Sequence, residues 1–268
     1  MRHFSTIQTI TLLIALSYVQ SNCQVNNAAG FTGTKKLHEK TIPIVIGFDD
    51  NYVDEWYKIK DTLKYYGVKC TFFVAGFGML NKRQIKELET LQLEGHEIGC
   101  HSRTHADAES YSNKYGVDKY IGDEIIPEIK SMTKSGFHSV SFSYPNGSRN
   151  MKLDKALHDY FKIIRGVTVY SRPVYSQFPV VNGFGMDDNY CSLESIFKEL
   201  ERDSKRGQFV VLFGHTPTVK PFTVPRYYTT VDRLVKIIKK AKSLGFTFCK
   251  ISELTPFYNE KSIASRSN

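Results

Sequence analysis

Seven runs of strand length and continuous apolar character punctuate the chain, at 42–48, 70–74, 97–100, 139–142, 162–166, 209–213 and 246–251. Continuous rather than alternating hydrophobicity predicts strands buried on both faces, as in a parallel sheet. Amphipathic stretches lie between the runs. Trp56, Ile59, Leu63 and Tyr66 share one helical face, as do Ile121, Ile125, Ile129 and Met132, and Val231, Leu234, Val235, Ile238 and Ala241. Lys236, Lys239, Lys240 and Lys242 fall mostly on the far side of that last helix and read as its solvated face. Strands alternating with helices predict βαβ units in an α/β domain with about seven parallel strands, as an open sheet or a barrel. No repeat or interior linker divides the chain after residue 42.

The first residues follow a different pattern. Met1-Arg2-His3 is a short basic start, and the apolar run at 10–19 rises only about 15 Å as a helix, half a bilayer core. It reads as a signal segment over 1–23, and the protein is expected to be exported to the periplasm or cell envelope. Cleavage after Cys23 and lipidation of Cys23 both stay open, and a lipid there is the one membrane attachment expected. Residues 24–41 are polar and read as a linker to a catalytic domain at 42–268. The net charge is +9, yet no block of five like charges occurs, so nucleic acid is not expected as a partner. Aromatic residues make up 13% of the chain, and core packing is a commoner use for them than sugar binding. The five cysteines form no CxxC pair, which excludes a zinc ribbon. Cys70 and Cys100 lie in consecutive expected strands, where pairing and buried free thiols are equally open.

In parallel α/β folds the functional groups gather at the carboxyl ends of strands. The first run ends in Asp49-Asp50, two carboxylates that can serve one site only where the chain leaves the sheet. The third ends in His101-Ser102-Arg103-Thr104-His105, whose imidazoles, four apart, would point the same way on one helical turn. Two imidazoles and a carboxylate from another strand suit a catalytic metal with an open position. The fourth run leads into Tyr144-Pro145-Asn146-Gly147, a sharp turn, and the sixth into His215.

Phe48-Asp49-Asp50, His101-Ser102-x-x-His105, Phe142-x-Tyr144-Pro145-x-Gly147 and Leu212-x-x-His215 occur in the order found in the polysaccharide deacetylases, carbohydrate esterase family 4, which the chain resembles from about 42 to 252. The resemblance implies a distorted (β/α) barrel and a divalent metal, typically zinc, held by Asp50, His101 and His105. It implies removal of N-acetyl or O-acetyl groups from an acetylated glycan. Asp49 would be the general base, His215 the acid that protonates the leaving amine, and the backbone N–H of Tyr144 the oxyanion donor. Tyr144 and Leu212 would contact substrate. A silent glycan-binding protein on the same barrel and a small-amide hydrolase are the alternatives. Departures from the family pattern are Gly47 for the usual Thr, Asn51 for the usual Gly and Ser143 for the usual Arg. The fourth motif, an Asp with aromatics, has only 184–188 as a candidate. With Ser143 in place of arginine, another cation should hold Asp49, and Arg165 at the end of the next strand is expected to lie within about 8 Å of it.

Overall fold

The computed structural model describes residues 42–168, 179–221 and 227–254. The expected signal segment, linker and Cys23 lie outside the described residues. Ten strands are present among them: β1 Ile42–Asp50, β2 Cys70–Val74, β3 Glu97–Cys100, β4 Ser141–Ser143, β5 Ile163–Val167, β6 Val180–Gly185, β7 Val210–Gly214, β8 Thr216–Thr218, β9 Tyr228–Thr230 and β10 Phe246–Cys249. Strands β1 to β7 pair in sequence order, all parallel, and β7 pairs back with β1 to close a seven-stranded barrel.

The number seven is as expected, but its membership is not. β6 was not foreseen, because Val-Val-Asn-Gly-Phe-Gly breaks its apolar run with Asn182 and Gly183. The run at 246–251 is instead β10, outside the closed ring. It pairs with Ile42–Val45 on the edge of β1 that β2 occupies from Ile46 onward. β1 is nine residues long and serves two neighbours along one edge, which is the distortion in the barrel.

Alternation along each strand sorts the side chains into two cores. Ile44, Ile46, Phe48, Phe72, Phe142 and Leu212 belong to the layer beneath the helices, with Trp56, Leu91, Leu157, Leu200 and Ile238. Val45, Phe73, Ile163, Val181 and Val211 fill the lumen, where Ile251 and Leu254 close the floor. Each fully buried side chain of this kind contributes about 1.5–3 kcal/mol, so the outer layer dominates the stability. Most of the large rings are core residues, as the composition suggested: Phe48, Phe72, Phe142 and Tyr144 are all fully buried.

Several helices start where the sequence supplies caps. Asn81 and Gln84 form a reciprocal capping box at Lys82–Leu93, and Thr230 caps Val231–Ser243. The face built on Ile121 and Ile125 is interrupted by a π-helical turn at Ile121–Ile125, just before Ile126–Lys134. Pro127 accounts for it, because proline lacks the N–H and its ring crowds the carbonyl four residues back. Among the described residues no helix is long and apolar enough to cross a membrane. Cys70, Cys100, Cys191 and Cys249 are free. The β2–β3 register sets Cys100 beside Val74, four residues along from Cys70, about 13 Å and too far for a disulfide.

Candidate active site

The carboxyl ends of β1, β3, β4 and β7 meet on one rim. Asp49 points into the lumen and is 3% exposed. Its neighbour would normally face the opposite way, but Asp50 has φ 85° and leaves the strand in the left-handed region. That twist brings its carboxylate to the rim beside His101 and His105. The Asp50 Oδ1 atom lies 3.6 Å from His101 Nε2 and 3.3 Å from His105 Nε2. One ligating atom from each of the three residues lies within 4.8 Å of the others. The edge of a tetrahedron with metal–ligand bonds of about 2.0–2.2 Å is about 3.3–3.6 Å, so the set fits a divalent ion. Asp50 Oδ1 is buried and has no hydrogen-bond partner among the described residues, as a ligand atom should be. Burial opposes ionisation of Asp50, but His101 and His105, when protonated, outweigh it and hold the carboxyl far below the usual carboxylate range.

The histidines converge by a different route from the one their spacing suggested. Residues 101–107 form no helix. Ser102 and His105 instead adopt left-handed backbones, φ 67° and 59°, and fold the loop back so that the rings lie 4.9 Å apart. His101 Nδ1 is 2.7 Å from the Ser143 carbonyl. A carbonyl can only accept, so Nδ1 carries the proton and Nε2 is left as the lone-pair nitrogen facing Asp50.

Arg165 lies in β5 directly across from Ser143 in β4 and reaches over the lumen to Asp49. Its Nη2 donates to Asp49 Oδ2 and to Ser143 Oγ. The guanidinium is 1% exposed and sits over Phe213, 4.4 Å from the ring centroid. A buried carboxylate is costly without a partner, and this arrangement supplies one. Asp49 Oδ1 has no hydrogen-bond partner among the described residues. One oxygen is anchored and the other is free.

His215 follows β7 on the other side of the rim. Its Nδ1 donates to Asp187 Oδ2 at 2.5 Å, and Asp187 Oδ1 accepts from Thr229 Oγ1 at 2.7 Å and from the His215 N–H at 3.2 Å. Trp56 Nε1 donates to the His215 carbonyl at 3.0 Å, and Tyr227 stacks on the imidazole at 5.1 Å. Burial works against the imidazolium, but the bond to Asp187, with the charges of Asp187, Asp49 and Asp50, raises the His215 pKa above its ordinary value. A cleft of about 280 Å³ adjoins Asp50 and His105 and is walled by Tyr52, Gly76, Met79 and Arg103.

A family model for polysaccharide deacetylases matches residues 36–160, the part that carries Asp49, Asp50, His101 and His105. Over those residues the chain matches the polysaccharide deacetylase family. It is 27% identical over 217 residues to a peptidoglycan-N-acetylglucosamine deacetylase of Bacillus cereus, covering 79% of this chain and 87% of that one. The fold matches a peptidoglycan deacetylase of Bacillus subtilis with TM-score 0.56 at 19% identity, covering 85% and 96% of the two chains. It also matches the chitin deacetylase of Colletotrichum lindemuthianum with TM-score 0.55 at 19% identity, covering 80% and 87%. Its likeness to these deacetylases marks the chain as a hydrolase of carbon–nitrogen bonds.

Within this deacetylase framework two of the expected contacts need correction. The N–H of Tyr144 is not available to an oxyanion, because it donates to the Arg165 carbonyl at 3.0 Å as part of the β4–β5 ladder. The Tyr144 ring is fully buried under the helices, and its hydroxyl donates to Asp154 Oδ1 at 2.9 Å, so it does not meet substrate either. Leu212 is likewise fully buried in the outer layer. Strand alternation points its neighbour Phe213 inward instead, under the Arg165 guanidinium. Asp187 is the residue the sequence did not single out. It falls inside 184–188, but only the contact across 28 residues to His215 distinguishes it from Asp188.

Proposed function

We propose that this protein removes N-acetyl groups from a polysaccharide of the cell envelope, using a divalent ion, zinc by preference, and a water molecule. The reading rests on one observation above all: Asp50, His101 and His105 converge beside an Asp49 whose second oxygen is free. A bound divalent ion would supply Lewis acidity to the water and to the acetamide carbonyl. Asp49 Oδ1 then takes a proton from the attacking water, while Arg165 keeps the other oxygen engaged. The N–H of Asn146, in the Pro145–Gly147 turn, makes no hydrogen bond among the described residues, and we assign the oxyanion to it in place of Tyr144. His215, protonated with support from Asp187, gives its proton to the amine nitrogen as the carbon–nitrogen bond breaks. Acetate and a free amino sugar are the products. Export is proposed from the basic start and the apolar run at 10–19.

Acetate release from chitooligosaccharides, peptidoglycan and acetylated xylan, with and without a chelator, tests the proposal. Release from chitooligosaccharides or peptidoglycan, abolished by the chelator and restored by zinc, is expected. Release from neither of them, release from acetylated xylan alone, or release indifferent to chelation, overturns it.

A further inference from the structure

The loop that carries both histidines holds two non-glycine residues in the left-handed region, Ser102 and His105. Such backbones persist only where the surroundings over-determine them. One buried side chain meets the residues between the two. Glu124, 4% exposed, accepts from the Thr104 N–H through Oε2 at 2.8 Å and from Thr104 Oγ1 through Oε1 at 2.7 Å. Its backbone carbonyl accepts the Arg103 N–H at 3.1 Å. Three consecutive donors of the loop therefore end on one residue. Gly76 N–H to the Ser102 carbonyl at 3.0 Å and His105 N–H to Ser102 Oγ at 3.1 Å complete the clamp from the other side. Glu124 sits in the π-helical turn at Ile121–Ile125, where the backbone register departs from the α-helix on either side.

Resting on the metal site proposed above, we propose that Glu124 is a positioning residue for that site, clamping the 102–105 turn so that His105 Nε2 faces Asp50. It touches neither ligand ring nor any reacting atom. Its effect passes through Thr104, the residue before His105. Glu128 supplies the control. It is as deeply buried, lies one helical turn further along, and accepts the Phe77 N–H at 2.7 Å rather than any donor of the loop.

The full chain carrying Glu124→Gln is compared with wild type and Glu128→Gln in two measurements. Zinc affinity is read by competition with a chromogenic chelator, and amide exchange at Thr104 is read in metal-free protein. Glu124→Gln presents an NH₂ where one of the two loop donors needs an acceptor. Its zinc affinity is expected to fall 10–100-fold, and Thr104 exchange to quicken at least tenfold. Glu128→Gln is expected to leave both within about twofold while lowering the melting temperature. Should Glu124→Gln fail to fold, Thr104→Val removes one of the same bonds and is expected to weaken zinc binding by a smaller factor, with Thr104→Ser restoring it. Wild-type zinc affinity in Glu124→Gln, or unchanged affinity in Thr104→Val if only that variant folds, overturns the proposal. A wild-type protein that binds no zinc would sink the proposed function instead, and unchanged Thr104 exchange would then overturn the clamp on its own.

Discussion

Asp49 and Asp50 are adjacent carboxylates in opposite circumstances. One is locked to a guanidinium inside the barrel, and the other is turned out to two imidazoles by a left-handed backbone. Arg165 makes that division hold. Arg165→Ala leaves Asp49 buried and unpaired, so turnover should fall at least tenfold, about 1.4 kcal/mol of barrier, with zinc still bound. Unfolding stability should fall as well, by about 3–5 kcal/mol in urea melts. Wild-type turnover in this variant would remove Arg165 from the mechanism. For His215 the sign follows from its environment. Its raised pKa depends on Asp187, and without that partner burial pushes it down. In Asp187→Asn the alkaline limb of the pH–rate profile should therefore move to lower pH, because His215 must be protonated to serve as the acid. Turnover should fall within the ~10²–10⁴-fold range of general acid–base catalysis. A limb that stays in place would mean that His215 is not the acid.

At the scale of elements, the strands that closed runs of Ile, Val and Phe were legible, and so were the polar residues at their ends. β6 was hidden because Asn182 and Gly183 interrupt its run, yet Gly183 is there for space: a Cβ would meet Phe213 at 3.0 Å and Arg165 at 3.1 Å. The two histidines do come together, but on a backbone other than the expected helical turn, since an i, i+4 spacing does not reveal a left-handed turn. Tyr144 and Leu212 were expected at the substrate, but the Tyr144 N–H is spent on the Arg165 carbonyl, and Leu212 lies one position before the inward-facing Phe213. Face assignment in a strand flips with every residue, and a motif match does not fix that phase. Gly99 in β3 is a sharper test of the packing than any core leucine. A Cβ there would lie 2.5 Å from Phe73 Cδ1 and 2.8 Å from Ser141 Oγ. Gly99→Ala should lower stability by about 1–3 kcal/mol by urea denaturation, as overpacking does. A neutral result would show that the lumen can yield at this level.

For the whole molecule, the residues that would hold a metal stand at and just beyond the strand ends of a barrel that closes without them. Removing metal should therefore abolish acetate release while leaving the far-ultraviolet circular dichroism unchanged. Zinc at 100 times its Kd should add about 2.7 kcal/mol to unfolding stability, read as a rise in melting temperature. Collapse of the secondary structure on chelation would instead make the metal a structural one. The lumen itself has two storeys, with Asp49, Arg165 and Ser143 above an apolar floor sealed by Ile251 and Leu254. That partition makes the protein modular. What keeps the barrel shut lies below the ion pair, and the cleft at which a glycan would dock lies in the loops above it, walled by Tyr52, Gly76, Met79 and Arg103. Substrate preference can then drift by exchange of rim segments without renegotiating the floor. Chimaeras that swap those segments between relatives should change which glycan is deacetylated while melting at nearly the same temperature.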